Sequence, residues 1–152
     1  MMKDQVEILL VEDDPNDLEL TLHTLKQEHI CNRVQVAQDG EEALDFLFCR
    51  GSHSNRDPAC HPKLILLDLK LPKVDGLEVL KAIRSDPHTR ALTVVILTSS
   101  KQEMDMLQGY QLGVNSYIQK PVDFDQFREV IKRLGYYWLV VNQAAPAHSF
   151  EG

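Results

Sequence analysis

The chain is short of cysteine, of long apolar runs and of positive charge. Three cysteines, Cys31, Cys49 and Cys60, occur in 152 residues. An odd number at irregular spacing makes no disulfide framework and fits a reducing compartment, so a cytoplasmic location is expected. No segment approaches the roughly 20 apolar residues of a membrane span. The start, Met1-Met2-Lys3-Asp4-Gln5, lacks the apolar stretch of a signal peptide, and no membrane association is expected. Lys and Arg number 16 against 23 Asp and Glu, a net charge of −7. Such a surface repels phosphate backbones, and no basic run offsets it, which argues against direct nucleic-acid binding. Glycine and proline, seven each, are too few for collagenous or low-complexity chains.

What is present suits one globular domain. Hydrophobic residues make up 43% of the chain and charged residues 26%. A domain of about 150 residues buries roughly 70% of its unfolded surface, enough for a core without covalent staples. A single domain is expected over 1–141, including an extended region after the last helix. Residues 142–152 read as a disordered tail, with no effector domain.

Short apolar runs alternate with amphipathic stretches. Val6 to Val11 and Val34 to Ala37 read as strands. Leu64-Ile-Leu-Leu67 and Val94-Val-Ile-Leu97 are apolar without alternation, the pattern of strands buried on both faces of a parallel sheet. Ser116 to Gln119 is a fifth strand. Helical spacing follows Pro15, with Leu18, Leu22 and Leu25 on one face. A second helix, capped by Asp39, is expected to about Cys49, and a third over Leu77 to Arg84, stopped by Ser85-Asp86-Pro87. Ser100-Lys-Gln-Glu103 has the capping-box pattern of a fourth, closed by Gly113. Asp123 caps a last helix from Phe124 to about Leu134, where Gly135 either caps or bends it. Arg50 to Pro62 is a long polar loop. Five strands alternating with five helices predict a doubly wound α/β fold with right-handed crossovers. Ligands then bind beyond the carboxyl ends of the strands.

Those ends carry unusual chemistry. The first strand ends in Glu12-Asp13-Asp14, the third in Asp68, the fourth in Thr98-Ser99-Ser100 and the fifth in Lys120-Pro121. A single carboxylate after a strand is ordinarily a turn former or helix cap, and a single lysine is solvated. Together, however, these residues gather on one sheet edge. Glu12, Asp13 and Asp68 would repel one another without a counterion, which a hard divalent cation such as Mg²⁺ supplies. Asp68 is then a candidate nucleophile, Lys120 a fixed positive charge and Thr98 a hydroxyl donor, the parts of a phosphoryl-accepting pocket. Cys49, His53, Cys60 and His61 match no zinc spacing. Asp14 reads as a helix N-terminal charge.

With these motifs in order, and with Leu69-Lys-Leu-Pro72 and Asp75-Gly76 after Asp68, the sequence over about residues 5–135 resembles the receiver domain of two-component response regulators. The resemblance implies a receiver fold of strand order 2-1-3-4-5 and phosphorylation of Asp68 by a sensor histidine kinase. It implies Mg²⁺ held by Asp13, Asp68 and the backbone carbonyl of Lys70, with Glu12 acting through water. It implies phosphoryl contacts from Thr98 and Lys120, a cis Lys120–Pro121 peptide, and Tyr117 as the aromatic switch that follows Thr98. The 51–62 insertion and the aromatic Tyr136-Tyr137-Trp138 are similar to stand-alone receivers paired with cyanobacterial phytochrome-type kinases. Lacking an effector, such a chain signals by protein contact or phosphorelay and catalyses only its own phosphoryl transfer and loss. The bulky run Tyr136 to Val141 exceeds what one helix face buries, so a homodimer through Tyr136, Tyr137 and Trp138 is expected. The alternative is that the run folds back over its own domain.

Two rival readings remain. A haloacid-dehalogenase-like phosphatase also uses an Asp nucleophile with Mg²⁺, but that family has an acidic residue two positions on, where Lys70 stands. A degenerate receiver would act only as a binding module, against the intact set Glu12, Asp13, Asp68, Thr98 and Lys120.

Overall fold

The computed structural model describes residues 6–27, 33–99 and 113–136. Five parallel strands form one sheet in the order β2-β1-β3-β4-β5: β1 Ile8–Val11, β2 Val34–Ala37, β3 Leu64–Asp68, β4 Val94–Thr98 and β5 Ser116–Gln119. The order reverses after β2, because the chain crosses back past β1 to lay down β3. The doubly wound sheet of order 2-1-3-4-5 expected from the sequence is the one observed.

Every residue of β1, β3 and β4 is buried, as their unbroken apolar runs require. Alternation in the sheet divides the core in two. Leu9, Val11, Ile65, Leu67, Val94 and Ile96 pack with Ala43, Phe46 and Leu47 of α2 (Gly40–Leu47) and Val79, Leu80 and Ile83 of α3 (Gly76–Ser85). Ile8, Leu10, Leu64, Leu66, Val95, Leu97 and Ile118 pack with Leu25 of α1 (Pro15–Gln27) and Phe127, Val130 and Ile131 of α4 (Phe124–Arg133). The helix expected after Ser100 lies outside the described residues, so the last described helix is the α4 of this structure.

Helix ends follow side-chain chemistry. Asp39, Asp75 and Asp123 each accept a hydrogen bond from the backbone N–H three residues on, and Glu78 completes a capping box with Asp75. The α2 helix ends two residues sooner than expected: Phe48 is its C-cap and Cys49 turns to φ 57°, which no helix continues. At the end of α4, Gly135 has φ 81°, its N–H bonds to Lys132 O at 3.0 Å, and the Tyr136 N–H bonds to Ile131 O at 2.9 Å. This is a Schellman ending, so Gly135 caps the helix.

Tyr136, one of the residues expected at a dimer interface, lies half-buried on its own domain. Its hydroxyl meets Thr93 Oγ1 at 2.7 Å and donates to Lys63 O at 3.0 Å, below β3 and β4. Tyr137, Trp138 and the expected tail lie outside the described residues. The 51–62 loop is anchored by Arg56, whose guanidinium stacks 3.7 Å from the Phe46 ring centre and donates to Phe46 O and Cys60 O.

Candidate phosphoacceptor site

Glu12, Asp68 and Lys120 are each held by the sheet at, or one step beyond, the end of a strand. The Glu12 N–H bonds to Ala37 O at 3.0 Å, the Lys120 N–H bonds to Thr98 O at 2.7 Å, and Asp68 is the last residue of β3, opposite Leu97. The side chains therefore project from a rigid edge. The loop after β3 is held close by buried Leu69 and Leu71 and by the Gly76 N–H, which bonds to Leu69 O at 2.8 Å. A side chain on Gly76 would stand 2.2 Å from Asp68 O and 2.6 Å from Leu69 Cα, so only glycine lets α3 begin there.

Glu12 and Asp68 are buried, at 0% and 4% exposure, while Asp13 stands exposed at the mouth. One ligand oxygen from each of the three lies within 4.8 Å of the others. Lys120 Nζ reaches into this group, donating to Asp68 Oδ2 at 2.9 Å, Glu12 Oε1 at 3.2 Å and Asp17 Oδ2 at 2.9 Å. The second oxygen of Asp68 accepts from the Lys70 N–H at 3.3 Å. Asp13, Asp14, Asp17, Asp68, Lys70, Ser99, Lys120 and Pro121 line an open cleft of about 480 Å³.

The electrostatics follow from burial. Taking the Glu12 carboxyl out of water, with Asp68 beside it, raises its pKa from 4.5 to about 8 despite the pull of Lys120 and the Asp14 N–H. Burial acts to lower Lys120, but its hydrogen bonds to Asp68 and Asp17 and the charges of Asp68 and Glu12 outweigh it, and the ammonium binds its proton above the usual lysine range. One ammonium thus faces several carboxylates. The donor set of three clustered oxygens suits a hard cation that takes oxygen ligands.

Most sequence-predicted residues meet here. Glu12, Asp13, Asp68 and Lys120 converge, Lys70 lines the cleft, and the Lys120–Pro121 peptide is cis as expected. Thr98 is buried at the end of β4, and its carbonyl positions Lys120. Tyr117 is half-buried on β5, opposite Ile96, against the core layer of α2 and α3. Asp14 caps α1 through Oδ1, which accepts from the Asn16 and Asp17 N–H groups. The sequence reading missed Asp17. Its signal was a position one helical turn after Asp13, on the first turn of α1.

Comparison with known proteins decides the family. The model of the response regulator receiver domain matches residues 8–132. The chain belongs to the response regulator receiver family. This receiver is 38% identical over 132 residues to response regulator Rcp1 of Synechocystis, covering 87% of this chain and 88% of Rcp1. Its fold is similar to that of the bacteriophytochrome response regulator RtBRR, with TM-score 0.80 and 52% identity over 84% of this chain and 76% of RtBRR. It is also similar to the phosphorylated cyanobacterial phytochrome response regulator RcpA, with TM-score 0.71 and 38% identity over 90% of this chain and 96% of RcpA. Rcp1 has been solved with Mn²⁺ bound.

Proposed function

We propose that this receiver accepts a phosphoryl group on Asp68 from the phosphohistidine of a sensor kinase, with Mg²⁺ as cofactor. The observation that carries the proposal is the Lys120 ammonium 2.9 Å from Asp68 Oδ2, inside a cluster of carboxylate oxygens at the carboxyl edge of the sheet. Asp13, Asp68, the Lys70 carbonyl and Glu12, through water, would hold the cation. When bound, it supplies positive charge against the carboxylates and the phosphoryl oxygens.

The chain's own groups account for the rest. A carboxylate oxygen of Asp68 bonds to phosphorus as the P–N bond breaks, and the imidazole nitrogen keeps the bonding pair and takes a proton. Lys120 offsets charge on the phosphoryl oxygens, and the Thr98 hydroxyl donates to one of them. Burial of Asp68 limits access of water. Tyr117 then follows Thr98 as the switch, and the signal leaves by protein contact or onward phosphorelay.

A phytochrome-type kinase is the proposed partner, supported by the likeness to RtBRR and to phosphorylated RcpA. The proposal includes a cytoplasmic location, consistent with the absence, among the described residues, of any helix long and apolar enough to cross a membrane. It also includes homodimerisation through Tyr137 and Trp138, which sedimentation of Trp138→Ala tests by a shift to monomer. The reaction itself is tested with purified histidine kinases and, separately, with a small phosphate ester plus Mg²⁺. Rapid transfer from a phytochrome-type kinase, without continuing ester turnover, is expected. Sustained turnover would make the protein a phosphatase instead.

A further inference from the structure

Three carboxylates share the Lys120 ammonium, and they are not equivalent. Glu12 and Asp68 belong to the trio whose oxygens cluster within 4.8 Å, together with Asp13. Asp17 stands outside that trio, yet its Oδ2 is as near to Lys120 Nζ, 2.9 Å, as Asp68 Oδ2 is. It comes from a different element, the first turn of α1, where the Asp17 N–H is held by Asp14 Oδ1. Its side chain is 27% exposed, against 0% for Glu12 and 6% for Asp68, so it forms the cleft wall rather than its floor.

The difference matters once a cation is bound. A divalent ion held by Asp13 and Asp68, with Glu12 through water, would draw on the same negative charge that holds Lys120 and would repel the ammonium. Two of the three anchors of Lys120 are then committed elsewhere. Lysine is a point charge on a flexible four-carbon stem, so without a further anchor its head would leave the cleft for water. Asp17 keeps its charge free of the trio.

We infer that Asp17 is a positioning residue, which anchors Lys120 over the cleft while a divalent cation occupies the carboxylate trio and so aims the ammonium at the phosphoryl oxygens. The inference rests on the phosphoacceptor reading of Asp68. The plainer alternative is that Asp17 is only an acidic side chain favoured at a helix N-terminus. On that account its removal would weaken α1 without touching Lys120.

The test compares the full-length protein with Asp17→Asn, Asp17→Glu, Lys120→Met and the Asp17→Asn/Lys120→Met double variant, each labelled by acetyl phosphate at saturating Mg²⁺. Asp17→Asn should label about tenfold more slowly, short of the ~100-fold that an ångström of misplacement costs. Asp17→Glu should recover most of the rate. In the Lys120→Met background, Asp17→Asn should change nothing further, because the residue acts through Lys120. Independently of labelling, the NMR signal of the Lys120 ammonium in Mg²⁺-loaded protein should be present in wild type and lost to water exchange in Asp17→Asn. Wild-type labelling in Asp17→Asn, an equal further loss in the Lys120→Met background, or an unchanged ammonium signal would each overturn the inference alone. A wild-type protein that takes no label would overturn the phosphoacceptor reading and this inference with it.

Discussion

Replacing Glu12 by glutamine should remove one pH-dependent contribution to stability at its source. In the metal-free protein the Glu12 carboxyl is raised from 4.5 to about 8 by burial and by Asp68. A group whose folded pKa is raised favours the folded state fully below its unfolded value. That contribution fades as pH rises from about 4.5 and is lost above about 8. Between 4.5 and about 8, at about 1.4 kcal/mol for each pH unit, on the order of 4 kcal/mol is at stake. For a protein of this size that corresponds to roughly 10 °C in melting temperature. Gln is the neutral isostere of protonated Glu12 and does not titrate. Thermal melts in chelator from pH 5 to 9 should therefore show wild type falling relative to Glu12→Gln by about that amount. Mg²⁺ should restore the wild type at high pH, because a cation held beside Glu12, through water, favours the ionised carboxylate. Parallel curves for the two proteins in chelator would refute the reasoning.

Gly76→Ala would drive a Cβ to 2.2 Å from Asp68 O. Backbone cannot yield there, so a loss of about 3 kcal/mol is expected, with a slower labelling of Asp68 measured alongside the melt. Gly135→Ala meets no atom within 4 Å but must hold φ at 81°, so it should cost about 1 kcal/mol, read as a melting shift of roughly 2–4 °C with labelling unchanged. Tyr136→Phe removes the hydroxyl that bridges Thr93 and Lys63 and should cost about 1 kcal/mol in a denaturant titration. It too should leave labelling intact, since that contact lies at the opposite end of the strands from Asp68.

The sheet was legible because its signals are local. Apolar runs without alternation over 64–67 and 94–97 can only be buried on both faces, and Asp39 and Asp123 stand where a helix needs a cap. The Asp75-Gly-Leu-Glu78 capping box carried the same kind of signal and went unread. The site was legible as a coincidence of strand ends, which the topology turns into proximity. What escaped was set by tertiary contact. Asp17 looks like any acidic residue in a first helical turn, and only the fold brings Lys120, 103 positions later, against it. The polarity of 50–62 showed a loop, but nothing in its sequence says that Arg56 stacks on Phe46. Nor does sequence carry the depth of Glu12, on which its raised pKa depends.

The central claim, that Asp68 is the phosphoacceptor of a cation-dependent pocket, is tested most directly by mass spectrometry after acetyl phosphate treatment with and without Mg²⁺. The account predicts one added phosphoryl group per chain, only with Mg²⁺, mapped to Asp68 and absent from Asp68→Asn, whose fold should persist. The same added mass in Asp68→Asn, or undiminished labelling in chelator, would contradict it.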